Sequence, residues 1–253
     1  MAKMMKSNKL ALITGSDVLF ESQFFIHSPT IKELALENIA EDELFRVLKV
    51  LSICKEDFQI EQEEEISNFH LLLGVLFNQN YPEKDRETFF KIFELFLKGY
   101  SVSLSDLGFI LNDKNNPKNF FFLNSDNFDI FQEYIKEIFC FNKIFTSEKS
   151  HNEYNVVGDR AKAIAEKLAA RHEKLASQKG EKPLEDVSVI SNYMSILSIG
   201  IPCDLKDLEN KTLYQLFDLL DRYSLYYNYD LDIRCRLAGS TENTEVEYWM
   251  KIQ

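Results

Sequence analysis

The chain has 253 residues, 45% of them hydrophobic, and carries 29 Lys/Arg against 41 Asp/Glu for a net charge of −12. That is enough apolar material for the core of one large or two small domains, which excludes disorder throughout. The acidic balance opposes bare DNA and anionic membranes, because either would repel most of the surface, so neither nucleic acid nor membrane is an expected partner.

Residues 9–26 alternate loosely, with Gly15, Ser16 and Asp17 as a turn between 10–13 and 18–20, and this predicts a short β element or extended arm. Thr30 then sits three residues before Glu33, the spacing of a helix-starting capping box, with Ile31, Leu34 and Ala35 on the apolar side. A second helix follows from Glu41, with Leu44, Val47, Leu48 and Leu51 at helical spacing. Glu56, Asp57, Glu61, Glu63, Glu64 and Glu65 form a dense acidic block of the kind that is usually a solvated face or linker.

Between Ile66 and Gly99 two strongly apolar segments flank a break containing Asn78, Asn80 and Pro82, which predicts a helical hairpin at the centre of the core. Residues 112–117 (NDKNNP) are all turn chemistry and separate Leu107–Leu111 from Phe120–Leu123, the strongest β-hairpin signal in the chain. Asp126 is expected to cap a helix whose stripe is Phe128, Phe131, Tyr134, Ile135, Ile138 and Phe139.

The polar run 147–158 marks the main boundary. Residues 159–178, rich in Ala and Lys, predict a long, partly exposed helix ended by Gly180 and Pro183. Helices are expected over 187–199 and 212–227, the latter with Leu213, Leu216, Phe217, Leu220 and Tyr223 on one face, followed by a Tyr-rich turn and a glycine break. The fold expected is α+β and predominantly helical: a mixed domain over 1–150 with a small β-hairpin, a charged linker and connecting helix over 151–183, and a helical interaction domain over 184–253.

No catalytic or metal set is apparent. Cys54, Cys140, Cys203 and Cys235 form no C-x-x-C pair and read as reduced thiols. His27, His70, His151 and His172 make no metal-binding spacing. No phosphate loop, dinucleotide fingerprint or serine-hydrolase elbow occurs, and neither catalytic residues, cofactors nor metals are expected. Asp230 and Asp232 with Arg234 and Arg236 resemble a D-x-D metal motif, but the arginines compete for the same oxygens, and an ion-pair patch is the better reading. The basic residues from Lys162 to Lys182 are broken by Glu166 and Glu173 and lack interleaved aromatics, which suits a solvated helix or strut better than nucleic-acid contact. No window approaches ~18 uncharged apolar residues, so a cytoplasmic protein is expected.

What remains is aromatic. Tyr214, Phe217, Tyr223, Tyr226, Tyr229 and Trp249, with Tyr227 and Tyr248, crowd the C-terminal third. They either complete the core of their own domain or form a surface for binding protein.

Several short segments resemble a family of tailed-phage tail assembly chaperones and tail-module proteins from phages of low-GC bacteria. They are 29–33 (PTIKE), 160–167 (RAKAIAEK), 212–216 (TLYQL), 221–223 (DRY), 230–239 (DLDIRCRLAG) and 249–251 (WMK). The resemblance implies a non-enzymatic protein of the host cell cytoplasm that binds the tape-measure protein or tail-tube subunits during tail morphogenesis, with homo-oligomerisation an open option. Two rivals stand beside it: a structural virion protein of the tail, connector or baseplate region, and an enzyme whose carboxylates converge from distant segments.

Overall fold

A computed structural model describes residues 9–58, 66–105, 108–146 and 188–238. The boundary placed at 147–158, the connecting helix expected over 159–178, and Tyr248 and Trp249 lie outside these residues. The fold is α+β and predominantly helical, as expected. No described helix is long and apolar enough to cross a membrane.

The start of the chain differs from the sequence reading. Residues 9–14 are helical rather than extended, and Gly15 at φ +71 ends the helix, where Ser16 N–H donates to the Ala11 carbonyl at 2.8 Å. The hairpin comes next, from β1 (Val18–Phe20) and β2 (Phe24–Ile26), with Val18 opposite Ile26 and Phe20 opposite Phe24. Alternation buries those four residues and leaves Leu19 and Phe25 outside.

Thr30 and Glu33 form the predicted capping box of α1 (Ile31–Leu36). In α2 (Glu41–Leu51) the spacing of Leu44, Val47, Leu48 and Leu51 puts all four in the core. The helical pair expected between 66 and 99 is α3 (Asn68–Leu76) and α4 (Glu83–Phe96). Three antiparallel strands follow, β3 (Tyr100–Ser105), β4 (Gly108–Asp113) and β5 (Phe120–Leu123), in the order β3-β4-β5. The 112–117 turn joins β4 to β5 as predicted; β3 is an additional strand.

The next helix, α5 (Phe128–Ile138), starts one residue later than Asp126 would place it. Its N-cap is Asn127, whose side chain donates to the Phe122 carbonyl and accepts from the Asn124 N–H, while Asp126 sits in a turn made by the Asn124 side chain. A short α6 (Phe141–Thr146) ends this part of the described chain.

Aliphatic side chains outnumber rings in the core, but the rings form a connected set within it. Phe131 lies 5.9 Å from Phe20, 6.0 Å from Phe93 and 6.2 Å from Phe128, and Phe109 bridges Phe93 and Phe69 at 5.2 and 5.7 Å, all within the range where aromatic pairs attract.

Beyond residue 188 lie α7 (Val189–Gly200), α8 (Leu205–Glu209) and α9 (Leu213–Leu237). They share one buried cluster with the earlier elements, to which they give Ile190, Leu197, Leu208, Leu213, Leu216 and Phe217. Hydrogen bonds hold the two parts together as well: Thr30 and Thr212 form an isolated bridge, Ile31 N–H donates to the Lys211 carbonyl at 3.0 Å, and the Gln215 side chain donates to the Ile13 carbonyl at 2.9 Å.

Candidate protein-binding surface

Thr212 begins α9. Its hydroxyl accepts from the Gln215 N–H, and the Gln215 side chain accepts from the Thr212 N–H, a complete capping box. No glycine or proline interrupts the sequence from Thr212 to Ala238, and Asp218–Arg222 and Asp230–Arg234 form ion pairs one turn apart, both at 2.8 Å. The helix therefore runs for 25 residues, about 37 Å at 1.5 Å per residue. The Tyr-rich turn expected after Tyr227 does not exist. The Asp/Arg patch is the ion-paired helix surface that its composition suggested, and a helix points residues two apart, such as Asp230 and Asp232, to different sides.

The two ends of α9 meet different surroundings. Leu213, Leu216 and Phe217 are buried, with Phe217 against Tyr193 at 5.5 Å. From Ser224 onward no described residue is buried. The apolar row nevertheless continues at helical spacing: after Leu213, Leu216 and Leu220 come Tyr223, Tyr227 and Leu231, of which Tyr227 is 53% and Leu231 47% exposed. The same stripe that packs the first half of the helix faces outward along the second.

Of the six residues expected to contact a partner, Phe217 must be withdrawn. It is 3% exposed, because the helical turn after Thr212 aims it into the cluster with Leu213 and Leu216. Tyr214 is partly covered. Its hydroxyl is pushed to a higher pKa, chiefly by burial and then by Asp218. Tyr223 is half-buried and lies on Gly200, with its ring 6.2 Å from that of Tyr227. Tyr226 is 50% exposed, Tyr229 is half-buried, and Trp249 lies outside the described residues. Leu231, missed in the sequence reading, belongs to the row; its spacing of four from Tyr227 was the available signal.

Compared with protein-family models, curated proteins and solved structures, the chain has no match.

Two of the surface hollows that carry titratable groups contain a cysteine. One, of about 260 Å³, gathers Lys9, Glu137, Cys140, Lys143, Tyr214 and Asp218 beside the first turns of α9. Burial raises the Glu137 carboxyl and pushes the Cys140 thiol up to about 12, which holds that sulfur in its unreactive protonated form at neutral pH. Two carboxylates there are engaged with cations, Asp218 with Arg222 and Asp221 with Lys143. The other, of about 530 Å³, lies between α2 and α6 and is lined by Lys49, Cys54, Asp57, Phe141 and Phe145. Burial and then Asp57 raise Cys54 to about 11, so this thiol too stays protonated. Among the described residues no group of three or more His, Cys, Asp or Glu is placed to hold a metal ion.

Proposed function

We propose that the chain is a non-enzymatic assembly factor of the tailed-phage tail, which binds the tape-measure protein or tail-tube subunits in the host cell cytoplasm while the tail is built. The observation that carries this reading is the second half of α9, where Tyr223, Tyr227 and Leu231 continue a buried apolar row into solvent. A helix that presents anchors at i, i+4 and i+8 with charged flanks suits transient pairing with an apolar helix or groove of another protein. The resemblance of 212–216, 221–223 and 230–239 to tail assembly chaperones supplies the partner class, and a net charge of −12 favours soluble complexes.

Co-expression with the tape-measure protein of the same phage tests this reading. The expected result is a co-purifying complex and a soluble partner, both lost in a Tyr227→Asp/Leu231→Asp double variant that melts at the same temperature as the parent. Absence of any complex, or a double variant that binds as well as the parent, would overturn the proposal. Mass spectrometry of finished particles decides between an assembly factor, which leaves, and a structural tail protein, which stays in fixed copy number.

A further inference from the structure

We propose that two copies of the chain pair through the outer edge of β3, continuing the three-stranded sheet across a two-fold axis. This rests on the sheet alone and is independent of the role given to α9.

The pairing register fixes which backbone groups are free. Lys114 N–H donates to the Gly99 carbonyl, and β3 then runs opposite β4 without a bulge, from Tyr100 opposite Asp113 to Ser105 opposite Gly108. In an antiparallel ladder hydrogen-bonded positions alternate, so Ser101 and Ser103 bond to β4, whereas Tyr100, Val102 and Leu104 turn their N–H and C=O groups to the opposite side. Among the described residues no strand lies on that side. Of those outward groups the Tyr100 N–H is taken, donating to the Leu97 carbonyl at 2.9 Å.

The two edges of the sheet are treated differently. On β5 the outward Phe122 carbonyl accepts from the Asn127 side chain at 2.8 Å, which blocks the ladder at its middle. Six-residue β3 lacks the protections that sequence supplies: YSVSLS has no charge and no proline, and the register shows no bulge. An edge of this composition and length is a template for another strand.

A second copy is the occupant that the sequence pattern favours. Read outward from Val102, β3 is apolar, Ser, apolar in both directions, Tyr100-Ser-Val-Ser-Leu104, so an antiparallel twin centred on Val102 matches each residue with its own kind. Val102 meets Val102 of the other copy, with N–H and C=O exchanged reciprocally. Tyr100 meets Leu104, whose N–H donates to the Tyr100 carbonyl left free by the local bond to Leu97. Ser101 meets Ser103. The outward groups of both strands coincide in this register, and the 43% exposed Leu104 gains cover from the backbone of the twin strand.

Sedimentation equilibrium of the full chain across about 1 to 200 μM tests the pairing, since a small strand-mediated interface holds on the order of micromolar. The expected result is a shift from 29.6 kDa toward twice that mass. Val102→Pro removes the central N–H at a position where an edge strand tolerates proline, and is expected to remain monomeric throughout. Leu104→Lys adds the charge that protects natural edges and is expected to do the same, so it decides the matter should the proline variant fail to fold. The α9 double variant keeps the dimer. A parent chain that stays at 29.6 kDa over the whole range, or a folded Leu104→Lys variant that still dimerises, overturns the proposal.

Discussion

Gln132 is buried because every polar atom of its side chain has work: the amide nitrogen donates to the carbonyls of Leu51 and Ile53, both at 2.8 Å, and the amide oxygen lies 3.4 Å from the Asn68 nitrogen. Those two carbonyls are at the end of α2, where a helix leaves acceptors unpaired. Gln132→Leu keeps the volume but strands both carbonyls, and it is expected to cost about 1–3 kcal/mol by urea denaturation. Nothing local in the sequence marks this role, since the partners are some eighty residues away. Glu33 is the opposite case, legible from its spacing to Thr30. Burial pushes its carboxyl up, but the Lys98 ammonium at 2.6 Å, the Thr30 N–H and neighbouring His27 outweigh that and hold it at about 2. A depressed carboxyl stabilises the fold above its unfolded value near 4.5, and that contribution fades as pH falls toward 2. Glu33→Gln is expected to lose about 1 kcal/mol at pH 7, a modest figure because the pair is partly solvated, with parent and variant converging in acid-denaturation curves near pH 2.

Elements were legible where a single periodicity spoke and a stop signal agreed with it. The helices α2, α3 and α4 and the β4–β5 hairpin follow the apolar spacing and the Asn-rich turn. Residues 9–14 were misread because so short an apolar run satisfies both periods, and Gly15 punctuates a strand and a helix end equally well. The length of α9 was underestimated for another reason. Tyrosines suggest a turn only where a breaker accompanies them, and here ion pairs one turn apart carry the helix on to Leu237. Gly108, which opens β4, has φ +136, and a Cβ there would stand 2.5 Å from the Leu123 carbonyl oxygen. The obstacle is backbone, so it cannot swing aside. Gly108→Ala is expected to destabilise by about 2–4 kcal/mol in thermal or urea unfolding, with the loss centred on the three-stranded sheet.

Across the whole molecule, parts distant in sequence close on each other through polar contacts that composition does not disclose. The Glu41 carboxylate, at the start of α2, accepts from the N–H groups of Val189 at 2.7 Å and Ile190 at 3.2 Å and from the Ser188 hydroxyl, so it caps α7 across a separation of 147 residues or more. Glu41→Ala is expected to cost about 1–2 kcal/mol and to speed amide hydrogen exchange over residues 189–192 more than elsewhere. The apolar content foretold a real core, but which face of the last helix would be sealed depended on these long-range contacts, and so Phe217 was assigned to the surface. The bridge between Thr30 and Thr212 has its own bearing on biogenesis. While residues beyond Leu208 are still inside the ribosome, a nascent chain has neither the bridge nor the side chains of Leu213, Leu216 and Phe217 to cover its earlier half, so the hydrophobic interior is closed only after synthesis has passed them.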